Sequence, residues 1–273
     1  RQASLGLRSD SDAFAEARQS LKIALSINPR DATAMSRLGW IALSQGLLEE
    51  AAAYLQPALE TEPGNSRVLM NVGQLLSYLG QHEQALKIFR RALHLDPASA
   101  SAHWNLSDAL YWEGSLDEAL NMARIARRIS PETWGIPNTI GNIHLKNQEF
   151  DAALRVFSEE GTKELKATGT AMALYSLDRL PEFRDQLDLL ETRWSKERPA
   201  LIASVYIWKG DIDQAYDWLE RAAHTGDRRL YKLIIDPLLA GIHDDPRWIP
   251  FLDGIGWSPD QRARVASRFD FDL

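Results

Sequence analysis

Residues 66–99 read SRVLMNVGQLLSYLGQHEQALKIFRRALHLDPAS. Four small or rigid residues in this stretch recur along the chain at a fixed step. Pro97 belongs to the ladder Pro29, Pro63, Pro97 and Pro131, each 34 residues from the next. Ala85 belongs to Ala17, Ala51, Ala85, Ala119 and Ala153, at the same interval of 34. Ala92 belongs to Ala24, Ala58, Ala92 and Ala126, and Gly80 to Gly46, Gly80 and Gly114. Several ladders in one phase mean that a single supersecondary unit has been copied along the chain. The question of function therefore shifts from which active site to which surface.

Each ladder has a physical use. With the proline numbered 32, small residues fall at position 8 (Gly39, Gly73, Ser107, Gly141) and at position 20 (the Ala85 ladder). Small side chains there let two helices cross closely, and a larger one costs about 1–3 kcal/mol in overpacking. Gly46, Gly80 and Gly114 lie between the helices, where glycine takes the left-handed conformation that ends the first of the pair. The prolines follow the second helix and stop it, and Asp96 and Ser130 before them suit turn chemistry.

The units are 32–65, 66–99, 100–133 and 134–167, with the second half of an earlier unit at about 12–31. Position 7 is Leu38, Val72, Leu106 and Ile140, and position 24 is Leu55, Phe89, Ala123 and Phe157. This arrangement resembles the tetratricopeptide repeat, with its pattern W-x2-L-G-x2-Y, then A-x3-F, then P. The likeness covers roughly 12–160. It departs at the tryptophan site (Met35, Leu69, His103, Pro137) and the tyrosine site (Ala42, Leu76, Leu110, His144). Beyond Glu160 the pattern decays. Residues 163–195 still read as two helices, and 196–224 recover it with Ala203, Tyr206, Gly210, Ala215, Leu219 and Ala222. The resemblance implies an all-α, right-handed α-solenoid superhelix of helix pairs. The expected organisation is a truncated first repeat at 1–31, four regular repeats at 32–167, two degenerate repeats at 168–224, and a helical cap and tail at 225–273.

The segment LYKLIIDPLLAGIHDDPRWIPFLDGIGW (230–257) stands apart. Asp236-Pro237 and Asp245-Pro246 each read as an N-cap followed by proline at the first helical position, and Ser258-Pro259-Asp260 starts one more helix. Short helices here are expected to cover the open end of the stack, which a solenoid must protect. The last residues, Phe269 to Leu273, alternate apolar and polar as a strand does, and such a tail can lie along a groove. About 200–273 also resembles the tail of bacterial regulatory proteins in which repeats follow a winged-helix or adenylate cyclase domain. That likeness is compatible with a tether to a membrane or effector domain outside these residues, and with a bacterial periplasmic or cytoplasmic site, the periplasmic slightly favoured. Arg1, in place of Met, reads as the start of a piece of a longer polypeptide.

Composition narrows the function. There are 31 basic and 38 acidic residues, a net charge of −7, so the basic stripe needed for nucleic acid is missing. Cysteine is absent, which removes disulfides, zinc fingers and thiol chemistry. No apolar run approaches the ~20 residues of a membrane span. The histidines form no metal spacing, and His144 falls at a core position. Asp211 and Asp213 lack the glycine and glutamate of a calcium loop. Asn105-Leu106-Ser107 matches the glycosylation triplet but falls mid-helix at core positions. No phosphate loop or nucleophile elbow is present. The expectation is a chain without catalysis, cofactor or metal.

That leaves the wall. A helix turns ~100° per residue, which puts positions 2, 5, 9 and 12 of each first helix on the concave side. They give Trp40, Met70, Gln74, Trp104, Asp108, Tyr111, Asn138 and Asn142, with Tyr78, Trp112, Lys146 and Trp208 beside them at position 13. Trp104 and Tyr111 are seven apart and share a line. Tryptophan and tyrosine are enriched at binding hot spots, and asparagine can both donate to and accept from a peptide backbone. The alternative is that curvature folds these rings against the next helix as ordinary core. The positions that grip a partner's terminal carboxylate in some such repeats hold Ser36, Trp40, Asn71, Ser101 and Asn105, with Arg67 and Lys146 the nearest cations, so an aromatic–polar groove for a protein or peptide fits better. The expected role is a protein–protein interaction module, the sensory or docking part of a bacterial signalling protein. A structural scaffold, or the regulatory region of a larger enzyme such as an adenylate cyclase, remains as the alternative. Replacing Ala85 with phenylalanine is expected to lower the melting temperature; an unchanged melt would refute close helix crossing at that position.

Overall fold

The computed structural model describes residues 10–269. Sixteen α-helices and one 3-10 helix occur among the described residues, and no strand. The helices run α1 (Asp10–Ile27), α2 (Ala32–Ser44), α3 (Leu48–Thr61), α4 (Ser66–Tyr78) and α5 (His82–Leu95). Next come α6 (Ala100–Glu113), α7 (Leu116–Ile129), α8 (Ile136–Lys146), α9 (Phe150–Ser158), α10 (Lys163–Ser176) and α11 (Leu180–Trp194). Then follow α12 (Pro199–Lys209), α13 (Ile212–Thr225), α14 (Arg229–Ile234), the 3-10 helix Pro237–Ile242, α15 (Trp248–Gly254) and α16 (Pro259–Ala266). The chain forms two compact units: residues up to Asp96 together with those from Pro259 onward, and residues Pro97–Ser258.

Each unit is a stack of antiparallel helix pairs, as the period requires. In the first unit α2 pairs with α3 and α4 with α5; in the second the pairs are α6/α7, α8/α9, α10/α11 and α12/α13. The crossing points are as tight as the small residues imply. Ala51, Ala85, Ala119 and Ala153 have no solvent-accessible surface. A Cβ placed on Gly73 would stand 2.7 Å from the Phe89 ring, and one on Gly39 would stand 2.5 Å from Leu55. Phe157 is held from both sides, with 2.3 Å between its ring and a Cβ on either Gly141 or Gly169. Where position 8 is Ser107, its buried hydroxyl donates to the Ala119 carbonyl across the crossing at 2.8 Å.

The starts of the helices repeat as well. Asp31, Asn65 and Ser99 cap α2, α4 and α6, and each accepts a hydrogen bond from the first helical turn. The fourth repeat breaks this rule. Its helix α8 starts after Gly135, which has φ of 92° and no room for a Cβ against Trp104. The cap comes instead from the buried Glu160 carboxylate, which accepts from the backbone N–H groups of Gly135 and Asn138 at 3.0 and 3.1 Å. Asp227 does the same for α12, accepting from Ala200 N–H at 3.0 Å. The turn glycines Gly46, Gly80, Gly114 and Gly210 all have positive φ, and in two later turns Gln148 and Asp178 carry that strain without glycine's freedom.

The C-terminal region departs from expectation. The stretch expected to act as one cap divides: α14, the 3-10 helix and α15 belong to the second unit, while α16 belongs to the first. There α16 rests on α3, and Arg268 pairs with Glu49 at 2.6 Å. Asp236-Pro237 caps its 3-10 helix as expected, with the carboxylate accepting from Leu238 N–H. Asp245-Pro246 does not begin a helix. It makes a turn, and α15 starts only at Trp248. Phe269 is buried, while the rest of the strand-like tail, 270–273, lies outside the described residues.

Gly73→Ala should destabilise the chain by about 1–3 kcal/mol in urea unfolding. Phe89→Leu in the same chain should recover part of that loss, because the shortened side chain makes room for the new methyl. Strict additivity of the two changes would deny the contact.

Candidate docking wall

The wall predicted from helix geometry divides between the two units, and the structure uses its residues unevenly. Within each unit consecutive first helices pack side by side, α2 with α4 in the first, and α6 with α8, α8 with α10 and α10 with α12 in the second. Position 5 of one helix thereby meets position 6 of the next. In the first unit Asn71 Nδ2 donates to Ser36 Oγ at 2.8 Å. In the second, the Trp104 indole N–H donates to Thr139 Oγ1 at 2.9 Å. Trp104 is half-buried and packs with Leu120 and Val156 against Ala123, Ala126, Ile136 and Ile140. It is part of the seam between repeats before it is part of any open face. Trp208 is used alike, donating to Met172 O and Ser176 Oγ.

On the first unit the wall is partly open. Trp40 is 36% exposed and meets Phe14 edge to face with ring centres 5.9 Å apart. Met70 and Gln74 are half-buried, whereas Tyr78 is buried.

On the second unit the wall is covered by the chain itself. Helix α14 and the 3-10 helix lie against α12, and the 3-10 helix reaches α8. Asp108 and Tyr111, expected to face an open groove, are buried, with Tyr111 only 3% exposed. Its hydroxyl donates to Asp236 Oδ1 at 2.6 Å, and the same oxygen accepts from Leu238 N–H at 3.0 Å. Asp108 accepts from Thr139 Oγ1 through one oxygen and from Lys232 Nζ through the other, both at 2.9 Å. Lys232 also stands 5.7 Å from the centre of the Trp112 ring. Lys146 Nζ donates to the Pro237 carbonyl at 3.0 Å. Leu238, Leu239 and Ile242 are buried, and each such side chain withdrawn from water contributes about 1.5–3 kcal/mol. These short helices, expected to cover the end of the stack, lie along the wall of first helices, where Lys232 meets Asp108 and Asp236 meets Tyr111.

Burial governs the electrostatics. Removal from water, followed by the nearby Asp236 charge, holds the Tyr111 hydroxyl well above the ordinary tyrosine range. Burial also raises the Asp236 carboxyl, against the opposing pull of the Tyr111 hydrogen bond, Leu238 N–H and Lys232. A hydrogen bond to a charged group of this kind is worth roughly 1.5–3 kcal/mol. Sequence reasoning picked the wall side of the contact, Asp108, Tyr111, Trp112 and Lys146. It missed Lys232, and it saw Asp236 only as a helix cap. Asn138 and Asn142 remain half-buried beside the segment and border a cavity. Among the described residues no three acidic, histidine or cysteine side chains gather to hold a metal, and no helix is long and apolar enough to cross a membrane.

Residues 10–75 and 72–132 match two tetratricopeptide-repeat family models. Solved structures extend the likeness of fold beyond them. The Cut9–Hcn1 hetero-tetramer of the APC/C is similar with a TM-score of 0.61 and 15% identity, over 82% of this chain and 46% of that one. PilW, a widely conserved type IV pilus biogenesis factor, gives 0.60 and 15%, over 71% and 91%. A tetratricopeptide repeat protein from Parabacteroides merdae gives 0.57 and 21%, over 86% and 94%. At these identities the likeness is one of fold. No curated protein matches the sequence, and the resemblance of the C-terminal part to winged-helix or cyclase regulators gains no support from the comparisons. Tetratricopeptide repeats are protein-interaction and scaffold modules, built to present an extended concave surface.

The raised Tyr111 value sets a pH dependence. The folded chain keeps this proton while unfolded tyrosines release theirs near ~10. Its contribution to stability is therefore intact below about pH 10 and lost as pH rises above it. Urea unfolding between pH 9 and about 11.5 should show stability falling, less steeply in Tyr111→Phe by up to about 1.4 kcal/mol per pH unit. Equal slopes would place the Tyr111 hydroxyl outside the buried contact.

Proposed function

We propose that this chain is a peptide-docking module whose second unit recognises a short segment bearing a carboxylate followed by aliphatic residues, and that its own residues 229–242 hold the site until a partner displaces them. One observation carries the reading: the hydrogen bond from Tyr111 to Asp236, with Leu238 and Leu239 buried just beyond it. These contacts are of the kind a bound peptide makes. A carboxylate meets a hydroxyl, a main-chain carbonyl meets the Lys146 ammonium, and two aliphatic side chains enter an apolar surface. Proline at 237 adds to the fit, since it has no N–H to leave unsatisfied.

An internal segment competes with a free one at an effective concentration of about millimolar for short linkers, so the uncovered wall is the state to probe. A labelled peptide with the sequence of residues 229–242 should bind full-length Asp236→Ala at least tenfold more tightly than the unmodified chain. Asn in place of the peptide's Asp, or Tyr111→Phe in the protein, should remove most of that binding. Absence of binding to the Asp236→Ala chain, or binding indifferent to Tyr111, would overturn the proposal.

A further inference from the structure

Beneath the segment 229–242 the second unit keeps a cavity of about 70 Å³, bounded by α8, α10, α12, α14 and the 3-10 helix. Its polar groups converge. Asn138 and Asn142 stand one turn apart on α8, and among the described residues neither carboxamide is engaged in a hydrogen bond. Arg229 enters from α14. Its Nε is shut from solvent and has no hydrogen-bond partner. Met172, Leu201 and Leu239 supply an apolar lining.

A half-buried guanidinium whose Nε–H is shut from solvent and unpaired calls for an anion. Desolvation, and then the positive charges of Arg228 and Arg198, work against its charged form, while Glu164 and Asp227 favour it. Asp227 is occupied at the starts of α12 and α14, where it accepts from Ala200 and Arg229 N–H groups. Asp236 is bonded to Tyr111. Neither of these two carboxylates pairs with the guanidinium, and a buried N–H left without an acceptor is costly. The guanidinium fork matches a carboxylate in two parallel hydrogen bonds, and the two carboxamides add N–H donors beside it.

We propose that this cavity is a binding site for a small aliphatic carboxylate, anchored by Arg229 and flanked by Asn138 and Asn142. The cavity is too small for a peptide chain, and the segment that roofs it already fills the peptide path. Met172, Leu201 and Leu239 suit a short hydrocarbon, while Lys232 and Asp236, which also border the cavity, are already engaged with Asp108 and Tyr111. Because Arg229 belongs to the roofing segment, the ligand binds the closed form of the wall. This inference stands whether or not a partner peptide ever displaces that segment.

Nitrogen-15 NMR of the full chain tests it through the arginine Nε–H signals, titrated with butyrate, acetate and inorganic phosphate at constant ionic strength. The expected result is a saturable shift of one signal with butyrate, that signal being absent from Arg229→Gln. Binding should be about tenfold or more weaker in Asn138→Ala/Asn142→Ala, which keeps the guanidinium. Should Arg229→Gln fail to fold, the double asparagine variant with retained circular dichroism decides. A response to phosphate alone, or no saturable shift with any of the three anions, would overturn the assignment.

Discussion

The whole architecture depends on how closely two helices can approach. At each crossing a residue with no side chain, or a single methyl, lets a bulky partner sit against backbone. Gly73 receives Phe89, Gly39 receives Leu55, and Gly141 and Gly169 close on the two faces of Phe157. A protein interior is packed as densely as an organic crystal, so a methyl added at such a point has nowhere to go. The pairs that result are nearly identical units, and nearly identical units stack. Everything above that level, the seam between first helices and the surface they share, follows from the spacing the crossings impose.

This explains what the sequence made legible. Features that recur every 34 residues are visible as ladders, so the helix pairs, their turns and the identity of the crossing residues could be read in order. The limits were of two kinds. Helix angle alone cannot separate a wall residue from a seam residue. Trp104 and Asp108 share a side of α6, and both meet Thr139 of a neighbouring helix whose offset is not written in α6 itself. Contacts that break the period leave no ladder. Asp236 announces itself as a cap through Pro237, yet nothing local says that its carboxylate meets Tyr111. Glu160 is similar: it replaces a lost side-chain cap at α8 from the far end of its own repeat.

The second unit thus uses one surface for two kinds of interaction. Its wall residues Asp108, Tyr111 and Lys146 are satisfied by Lys232, Asp236 and the Pro237 carbonyl, which leaves few polar groups on that wall without a partner. The cavity below is the exception, with the Arg229 Nε–H unmatched beside Asn138 and Asn142. In the first unit the corresponding wall keeps Trp40 at the surface. The same repeat thereby yields an open face in one place and a closed one in another, and the difference lies in a segment that is not itself a repeat.

Order of synthesis follows from that arrangement. Tyr111 and Asp236 are 125 residues apart, in a fold whose helix pairs otherwise join close neighbours. At 5–20 residues per second a ribosome needs on the order of 6–25 s to travel between them. Helices α6 to α11 can form and stack while the tunnel still holds the piece that will cover them. For that interval the nascent chain displays a ledge of rings and carboxylates to whatever waits at the exit, and only the later segment 229–242 draws it shut.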